Sequence, residues 1–440
     1  MCNSKEIAIF GNGPGSISSA DTLTNSGHRV TRIVPDAPQG NSRSIYSTST
    51  GIYRDVMETY CPAEYRKPLP TMRIYTVNGT DFSVETGNDY FMVNYPQLTV
   101  DANARLSGKE GITVESYSSK ELRHVKVHES ETGVEVTIDG GTKQFDAAID
   151  STGAGRSIMT HVAPEVAKRD KIAEYVYAGQ YPGTLAQDEM ILVWDKTGAT
   201  SWINPSIYTG PNGEPLLDIV YSAWGWESFF PQFLNEADTR LRHLVDFAET
   251  IPGLQLIDNH PIELTAGKIL SEGLYKPDTQ HVYAVGEAAG VAKPKSGESF
   301  NRTLLSGVVT AEAIDQNHTP LQVHDRLKQF WPNDYQFLAF TLARLREQHT
   351  GNTSKLMDTM GSWFKNGSVD QEFIKQMEDY IIKGSISPAL LQRFVTNPVF
   401  LQTVVHTMLT YARIKVFGMS SFPRKWTLGN VPQQAPAYSS

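Results

Sequence analysis

The stretch that decides the fold is Lys5–Phe10, KEIAIF, followed directly by Gly11–Ser16, GNGPGS. The first segment has the length and apolar content of a short buried strand, and the second predicts a tight turn. Small and apolar residues then alternate through Ile17–Ser26, as in a helix that packs on a sheet, and Arg29–Val34 predicts a second strand. A strand, a glycine turn, a helix and another strand in this order indicate a β-α-β unit of a doubly wound α/β fold.

The glycine turn favours a dinucleotide ligand. Gly11 permits the sharp turn, and Gly13 lets the backbone approach a pyrophosphate. Gly15 and Ser16 open the helix, whose N-terminal N–H groups and positive dipole end suit phosphate. The alternative is a glycine turn that binds nothing, but its position between a strand and a helix favours the binding site.

The adenosine end of this predicted site departs from the usual pattern. Ser16 replaces the last glycine, and Val34 stands where an acidic residue normally ends the second strand. Asp36 lies two residues further on and is the candidate partner of the ribose hydroxyls. The sequence therefore supports the pyrophosphate end of the site more directly than the adenosine end.

Two distant segments extend the pattern. Phe145–Gly155 is a strand that ends in a loop of small residues, among them Gly153. His281–Gly290 is a strand that ends at Gly286, and Lys293–Asn301 is a second glycine-rich turn that opens a helix. The order and spacing of these segments, rather than either one alone, carry the information.

The three segments resemble those of flavoproteins of the aromatic-hydroxylase superfamily. The branch they resemble most is that of the geranylgeranyl reductases, and lycopene cyclases are similar as well. In the reductases a G-D-A-A-G stretch precedes N-P-x-T-G-E-G and a helix with L-x-S-G-x-x-A-A-E-A-I. The matching positions are Gly286–Gly290, Pro294, Gly297-Glu298, Leu305-Ser306-Gly307 and Ala311–Ile314. Two positions depart from the motif, since Glu287 stands where Asp is usual and Ser299 replaces the last glycine.

This resemblance implies FAD as the cofactor, with NAD(P)H as a candidate electron donor. A helix N-terminus after the second glycine-rich turn would stabilise negative charge on a flavin ring, and Glu287 would accept a hydrogen bond from a ribityl hydroxyl. Arg43 is a candidate for phosphate or flavin, with a solvated loop arginine as the alternative. The predicted cofactor contacts are Gly11, Gly13, Gly15, Ser16, Asp36, Arg43, Gly153, Gly286, Glu287, Gly290, Pro294, Gly297, Ser299 and Asn301.

The predicted fold class is α/β, or α+β overall. It combines a doubly wound, Rossmann-like FAD-binding domain with an inserted antiparallel β-sheet substrate domain and a C-terminal helical region. The predicted bounds are 1–65, 94–165 and 266–320 for the FAD-binding domain, 66–93 and 166–265 for the sheet domain, 321–425 for the helical region and 426–440 for a flexible tail.

Aromatic residues concentrate in the predicted sheet domain and are candidates for substrate binding. Rings suit apolar chains and stabilise cationic intermediates, but they also commonly fill the cores of sheets. The reductases carry Y-x-W-x-F-P here, of which Thr200–Pro205 keeps the Trp and the Pro and loses the Tyr and the Phe. The candidates are Trp202, Tyr208, Tyr221, Trp224 and Trp226.

The residue patterns of several other enzyme classes are absent from the sequence. It contains no Ser-His-Asp order, no H-E-x-x-H and no paired-carboxylate spacing, and its two cysteines cannot form a metal-ligand cluster. We therefore predict no metal and assign no catalytic side chain, because flavin would carry the chemistry. The leading interpretation is reduction of carbon–carbon double bonds in an isoprenoid or similarly apolar substrate. The alternatives are a flavin monooxygenase or halogenase acting on an aromatic compound, and a degenerate flavin-fold protein that binds a lipid or a partner without turnover.

The charge, cysteine content and hydropathy of the sequence indicate which partners and which location to expect. The net charge of −9 argues against a nucleic-acid partner, which would require a basic face. The near absence of cysteine favours a cytoplasmic setting, and no apolar stretch is long enough for a membrane span. Helices in Pro388–Phe417 are candidates for peripheral membrane contact, with ordinary packing on the flavin domain as the alternative.

Overall fold

The computed structural model describes residues 4–36, 45–49, 51–76, 81–164, 171–194, 200–271, 273–293, 299–332, 334–350 and 387–417, with a few isolated residues between 362 and 376. Three predicted cofactor residues, Arg43, Pro294 and Gly297, lie outside the described residues, as does the predicted tail at 426–440.

Strands and helices are numbered in chain order. The strands are β1 Glu6–Phe10, β2 Arg29–Pro35, β3 Ile45–Thr48, β4 Arg66–Pro68, β5 Thr71–Thr76, β6 Asp81–Glu85, β7 Tyr90–Val93, β8 Ile112–Tyr117, β9 Lys126–Ser130, β10 Gly133–Ile138, β11 Gly141–Phe145, β12 Ala147–Asp150, β13 Ile172–Leu185, β14 Glu189–Trp194, β15 Thr200–Thr209, β16 Pro215–Trp226, β17 Leu254–Leu256, β18 Glu263–Leu270 and β19 Val282–Ala284. The helices are α1 Pro14–Asn25, α2 Arg54–Tyr60, α3 Tyr95–Ser107, α4 Ser119–Arg123, α5 Met159–Val162, α6 Phe230–Ala248, α7 Phe300–Asp315, α8 Pro320–Phe330, α9 Asp334–Thr350, α10 Pro388–Thr396 and α11 Pro398–Phe417.

The first large sheet has five parallel strands, in the order β19-β12-β1-β2-β8. The strands β1, β12 and β19 are nearly continuous apolar runs, as expected for strands covered on both faces. Ile7 and Ile9 of β1 pack with Leu304 of α7 on one face, where α1 and α7 lie. Ala8 and Phe10 face the antiparallel β9–β10–β11 sheet on the other.

The second large sheet has eight strands, in the order β17-β13-β16-β15-β14-β5-β6, with β18 also paired to β13. The strand pairs are antiparallel except β14 with β5, which run parallel. Helix α6 covers one face, where Phe233 and Leu244 pack with Tyr175 and Ile219. In the chain this sheet is inserted between strands of the parallel sheet, as expected for the predicted fold class.

A small sheet and the C-terminal helices pack against the large eight-stranded sheet. Strands β3, β7 and β4 form a short antiparallel sheet beside β15. Leu338 and Leu342 of α9 and Ile414 of α11 form one core cluster with Trp224 and Trp226 of β16. The fold class predicted from the sequence, α/β with a doubly wound domain, an inserted sheet and C-terminal helices, is confirmed.

Candidate cofactor and substrate site

The predicted cofactor segments meet at the carboxyl-terminal edge of the parallel sheet. Strand β1 ends at the Gly11–Ser16 turn, β12 leads to the 3-10 turn Gly153–Gly155, and β19 leads to the 3-10 turn Gly286–Ala289. Because these strands are parallel neighbours, the three turns emerge at the same edge. Open α/β sheets bind their ligands there. We call this edge the cofactor groove.

Glycine is required where backbones approach each other in the groove. Gly11 has φ +111, and a Cβ there would overlap the carbonyl oxygen of Ser151, which follows β12. A Cβ on Gly15 would lie 2.9 Å from the Val285 side chain. Gly153 has φ +71 and has nothing within 4 Å of the position a Cβ would take, so its backbone borders open space.

Two helix N-termini open onto the groove. Helix α1 begins after Gly13, has Pro14 in its first turn, and carries neither a side-chain cap nor an acidic residue there. Helix α7 begins after Ser299, also without a side-chain cap or an acidic residue in its first turn. Uncapped N-termini of this kind favour anionic groups. Buried Asn301 donates through Nδ2 to the Thr48 carbonyl at 3.1 Å and so joins α7 to β3.

Asp150, at the end of β12, orders the loop that forms one wall of the groove. This completely buried carboxyl accepts hydrogen bonds from the backbone N–H groups of Thr152, Ile158 and Met159, at 3.0, 3.1 and 2.8 Å. The Thr152 hydroxyl donates to it at 2.6 Å. These bonds fix the backbone on both sides of the Gly153–Gly155 turn.

Glu287 connects the second and third turns. Its carboxylate accepts a hydrogen bond from the Ala154 N–H and lies near the guanidinium of Arg156. Removal from water raises the pKa of Glu287 to about 7, although both partners act to lower it. Arg156 is buried and has φ +46, an uncommon conformation for a side-chain-bearing residue. Glu287, which stands where the motif has Asp, therefore keeps a carboxyl group in the groove.

Tyr95 lies across the groove from these turns. Its hydroxyl is 3.6 Å from the position a Cβ on Gly13 would take, and its ring meets Phe300 of α7 edge-on, with centroids 6.0 Å apart. Burial, together with the charge of Glu287, raises the pKa of Tyr95 to about 12. Tyr95 is not among the site residues predicted from the sequence.

Arg32 of β2 is a buried cation beneath the glycine turn. It is 1% exposed and forms no ion pair with any described residue. Its Nε donates to the Ser16 hydroxyl at 3.2 Å and its Nη2 to Asn103 Oδ1 at 2.6 Å, while Asn103 Nδ2 donates to the Asn12 carbonyl. Burial lowers the pKa of Arg32 to about 10. Ser16 therefore stands at the position of the usual glycine, and its hydroxyl accepts a hydrogen bond from Arg32. Asp36, the predicted partner of the ribose hydroxyls, follows β2 and is exposed.

The sheet face turned away from α6 carries the first two predicted substrate residues. Trp202 of β15 packs beside Leu69, Met92 and Met190, next to the small β3–β7–β4 sheet. The Tyr208 hydroxyl donates to Asn94 Oδ1 at 3.0 Å, immediately before α3 of the cofactor side. Both residues therefore lie where the large sheet approaches the elements of the groove.

The other three aromatic candidates pack against helices. The Tyr221 ring stacks on Phe233 of α6, with centroids 5.8 Å apart, so it belongs to the core on the opposite face of the sheet. Trp224 and Trp226 lie on the same face as Trp202 but pack against α9 and α11. Tyr221 thus lies under α6, and Trp224 and Trp226 lie under the C-terminal helices, while the substrate role of all five residues stays a prediction.

Buried polar side chains occupy the same face as Trp202. Gln180 Nε2 donates to Asp218 Oδ1 at 3.1 Å, and Asn204 is the cross-strand neighbour of Asp218. Asn204 is 1% exposed, and neither atom of its amide has a hydrogen-bond partner among the described residues. Glu174, further along β13, accepts from the Ser222 hydroxyl. Asn204 stands where the reductase motif has Phe, so this face is more polar than that motif implies.

The solved structures similar to this chain include a reductase-like protein, a halogenase and a brominase. A geranylgeranyl bacteriochlorophyll reductase-like protein from Thermoplasma acidophilum is 12% identical, with a TM-score of 0.60 over 94% of this chain and 99% of that chain. The flavin-dependent halogenase CmlS is 15% identical, with a TM-score of 0.57 over 86% of this chain and 72% of that chain. The flavin-dependent brominase Bmp2 is 11% identical, with a TM-score of 0.57 over 82% and 93%. This chain has the fold that these three structures share. The sequence matches no family model and no curated protein.

The backbone and the charge of the groove fit FAD. Close backbone approach at Gly11, open space at Gly153 and two uncapped helix N-termini suit a pyrophosphate and a flavin ring. Arg32 adds a buried positive charge that an anionic group would compensate. No cluster of three or more potential metal ligands occurs among the described residues. No helix in the described part of the chain is long and apolar enough to cross a membrane.

Buried Glu174 should make the stability of the protein depend on pH. Burial raises its pKa from 4.5 to about 7, so its contribution is full below pH 4.5 and is lost as the pH rises through 7. Between pH 5 and pH 8 the free energy of unfolding should fall by about 2–3 kcal/mol more in the wild type than in Glu174→Gln. Urea denaturation at the two pH values measures this difference. The exposed Glu110→Gln serves as the control and should behave as wild type; equal pH dependence in all three proteins would contradict the assignment.

Proposed function

We propose that this chain binds FAD in the cofactor groove and acts as an FAD-dependent oxidoreductase. The observation that carries the proposal is the convergence of the Gly11–Ser16, Gly153–Gly155 and Gly286–Ala289 turns at one sheet edge, with Glu287 joining two of them. The first turn and α1 would hold the pyrophosphate, Glu287 the ribityl chain, and the α7 N-terminus the flavin ring. Bound FAD would supply the hydride or activate the oxygen, and NAD(P)H is the proposed electron donor.

The leading proposal for the reaction is reduction of a carbon–carbon double bond in an isoprenoid or similarly apolar substrate. The reductase-like protein aligns over 94% of this chain, and the halogenase CmlS and the brominase Bmp2 over 86% and 82%. The apolar surroundings of Trp202 suit such a substrate. In this account Trp202 and Tyr208 orient the substrate, and α9 and α11 exclude water by covering the far end of the sheet face.

A second candidate is a flavin monooxygenase or halogenase acting on an aromatic compound. The observation that favours it is the polar strip of Gln180, Asn204 and Asp218, because unsatisfied buried amide atoms suit a substrate with its own hydrogen-bonding groups. The third alternative, a flavin-fold protein that binds a lipid or a partner without turnover, requires that the groove take up no FAD.

The reaction is tested with FAD-loaded protein and two assays. Loss of the alkene from a prenyl alcohol, with dithionite-reduced protein, supports the reductase; NAD(P)H oxidation with peroxide release, stimulated by a phenol or an indole, supports the monooxygenase. Asn204→Leu separates the two further. It should raise KM for a polar aromatic substrate roughly tenfold or more and leave KM for an apolar substrate unchanged. Absence of both activities in flavin-loaded protein would reject both reactions.

A further inference from the structure

Half of the large apolar side chains that the described residues expose lie on two adjacent helices, α10 and α11. These helices supply seven of the fourteen such residues within thirty positions of the chain. The seven are Leu391, Val395, Leu401, Val405, Met408, Leu409 and Val416. Scattered exposed apolar residues need no explanation, but a concentration of this kind marks an interaction surface.

The exposed large apolar residues of α11 form one continuous stripe. At 3.6 residues per turn, they fall within an arc of about 100° on the helix. They are Leu401, Val405, Met408, Leu409 and Val416. The opposite side of the helix is buried, and there Ile414 packs on α9. Core packing therefore accounts for the buried side of α11 but not for the exposed apolar stripe.

Helix α10 extends this apolar surface. Its Phe394 stacks on Phe400 of α11, with ring centroids 5.4 Å apart, which fixes the two helices as a pair. Leu391 and Val395, one turn apart, remain 45% exposed. We call the exposed apolar residues of α10 and α11 the helical-pair face.

The charge of this part of the chain is opposite to that of the rest. Residues 380–440 contain no Asp or Glu and six basic residues, and the whole chain carries −9, so residues 1–379 carry −9 − 6 = −15. The six are Lys383, Arg393, Arg413, Lys415, Arg424 and Lys425. At 100° per residue, Arg413 and Lys415 fall on either side of the apolar stripe near the end of α11.

We propose that the helical-pair face docks on a lipid surface that carries anionic headgroups. An apolar helix stripe flanked by basic residues is the arrangement that inserts at the boundary between headgroups and acyl chains. Each Lys or Arg near an anionic surface adds roughly 1 kcal/mol, and α10 and α11 carry Arg393, Arg413 and Lys415 and no acidic residue. A second copy of the chain would instead bring two basic segments together, which opposes pairing through this face. This proposal does not depend on the proposed reaction.

The test uses the full-length protein and vesicles of two compositions. We expect cosedimentation with vesicles of phosphatidylcholine and phosphatidylserine, weaker binding to phosphatidylcholine alone, and release of the protein at high salt. The double variant Met408→Glu/Leu409→Glu should weaken binding roughly tenfold or more. These side chains are 66% and 63% exposed, so the variant should keep its melting temperature and its FAD uptake. The matched control is Ile257→Glu/Ile262→Glu, at exposed positions away from α10 and α11, and it should bind as wild type.

Three results would overturn the proposal. The first is no binding to either vesicle, and the second is equal binding by the Met408/Leu409 variant and the wild type. The third is a wild-type dimer in lipid-free sedimentation that the same variant converts to a monomer, which would assign the face to a second copy. Because FAD uptake is read by absorbance without lipid, failure of this proposal is distinguishable from failure of the cofactor proposal.

Discussion

Replacement of Gly11 by alanine should abolish FAD uptake and lower the free energy of unfolding by about 3 kcal/mol or more. Gly11 has φ +111, and a Cβ would overlap the Ser151 carbonyl oxygen. Both contacting groups are backbone, so neither can rotate away. The Gly11 N–H donates to the Ile33 carbonyl of β2, and the Ser151 N–H donates to the Phe10 carbonyl of β1. Because these bonds join β1 to its two neighbours, a backbone shift that relieves the overlap would separate β1 from them. The residue therefore controls the sheet edge and the turn together.

Gly267→Ala is the matched control for this substitution. Gly267 lies in β18, has no positive φ, and nothing is within 4 Å of the position its Cβ would take. Urea denaturation and titration with FAD, monitored by flavin fluorescence, should leave the control close to wild type. A Gly11→Ala protein with unchanged stability and FAD affinity would show that the turn does not form the proposed groove.

Asp334→Ala should lower the free energy of unfolding by about 3–5 kcal/mol. Asp334, at the start of α9, forms a two-point ion pair with Arg302 of α7, at 2.7 and 3.1 Å, and both side chains are about 5% exposed. Removal of the carboxylate leaves a buried guanidinium that still faces the Trp331 ring at 4.8 Å. The pair joins the helix that opens onto the groove to the C-terminal helices, so its loss should loosen both.

Two controls distinguish this buried pair from an ordinary surface contact. Glu312→Ala removes the partner of Arg326 in a pair whose side chains are 42% and 33% exposed, and it should cost less than about 1 kcal/mol. The double variant Arg302→Met/Asp334→Leu removes both buried charges and should be more stable than Asp334→Ala. Thermal and urea denaturation measure both comparisons. A double variant as unstable as Asp334→Ala would contradict the explanation by an unpaired buried charge.

The sequence predicted the fold because its decisive signals are local. A glycine turn between a strand and a helix depends on backbone geometry, and the overlap at Gly11 is the physical reason why glycine occurs there. The Gly153 and Gly286 turns could be placed at the same edge because parallel strands end together. Arg32 also had a signal that was missed, since an arginine inside an apolar strand requires a buried polar partner.

The lining of the substrate side could not be predicted in the same way. Residues 216–226 of β16 are all buried, so no alternation of polar and apolar residues distinguished the face of Tyr221 from that of Trp224. Helix α6 covers one face and the C-terminal helices cover the end of the other, and both depend on contacts between distant segments. The polar role of Asn204 likewise becomes visible only when its cross-strand neighbour Asp218 is known.

The central claim is that the groove holds FAD, and the most direct measurement is an absorbance spectrum with mass analysis of the purified protein. The account predicts a yellow protein with flavin bands, FAD released on denaturation, and FAD uptake that Gly11→Ala loses and Gly267→Ala retains. A colourless, folded protein that takes up no added FAD would contradict the claim and would leave a flavin fold that binds something else.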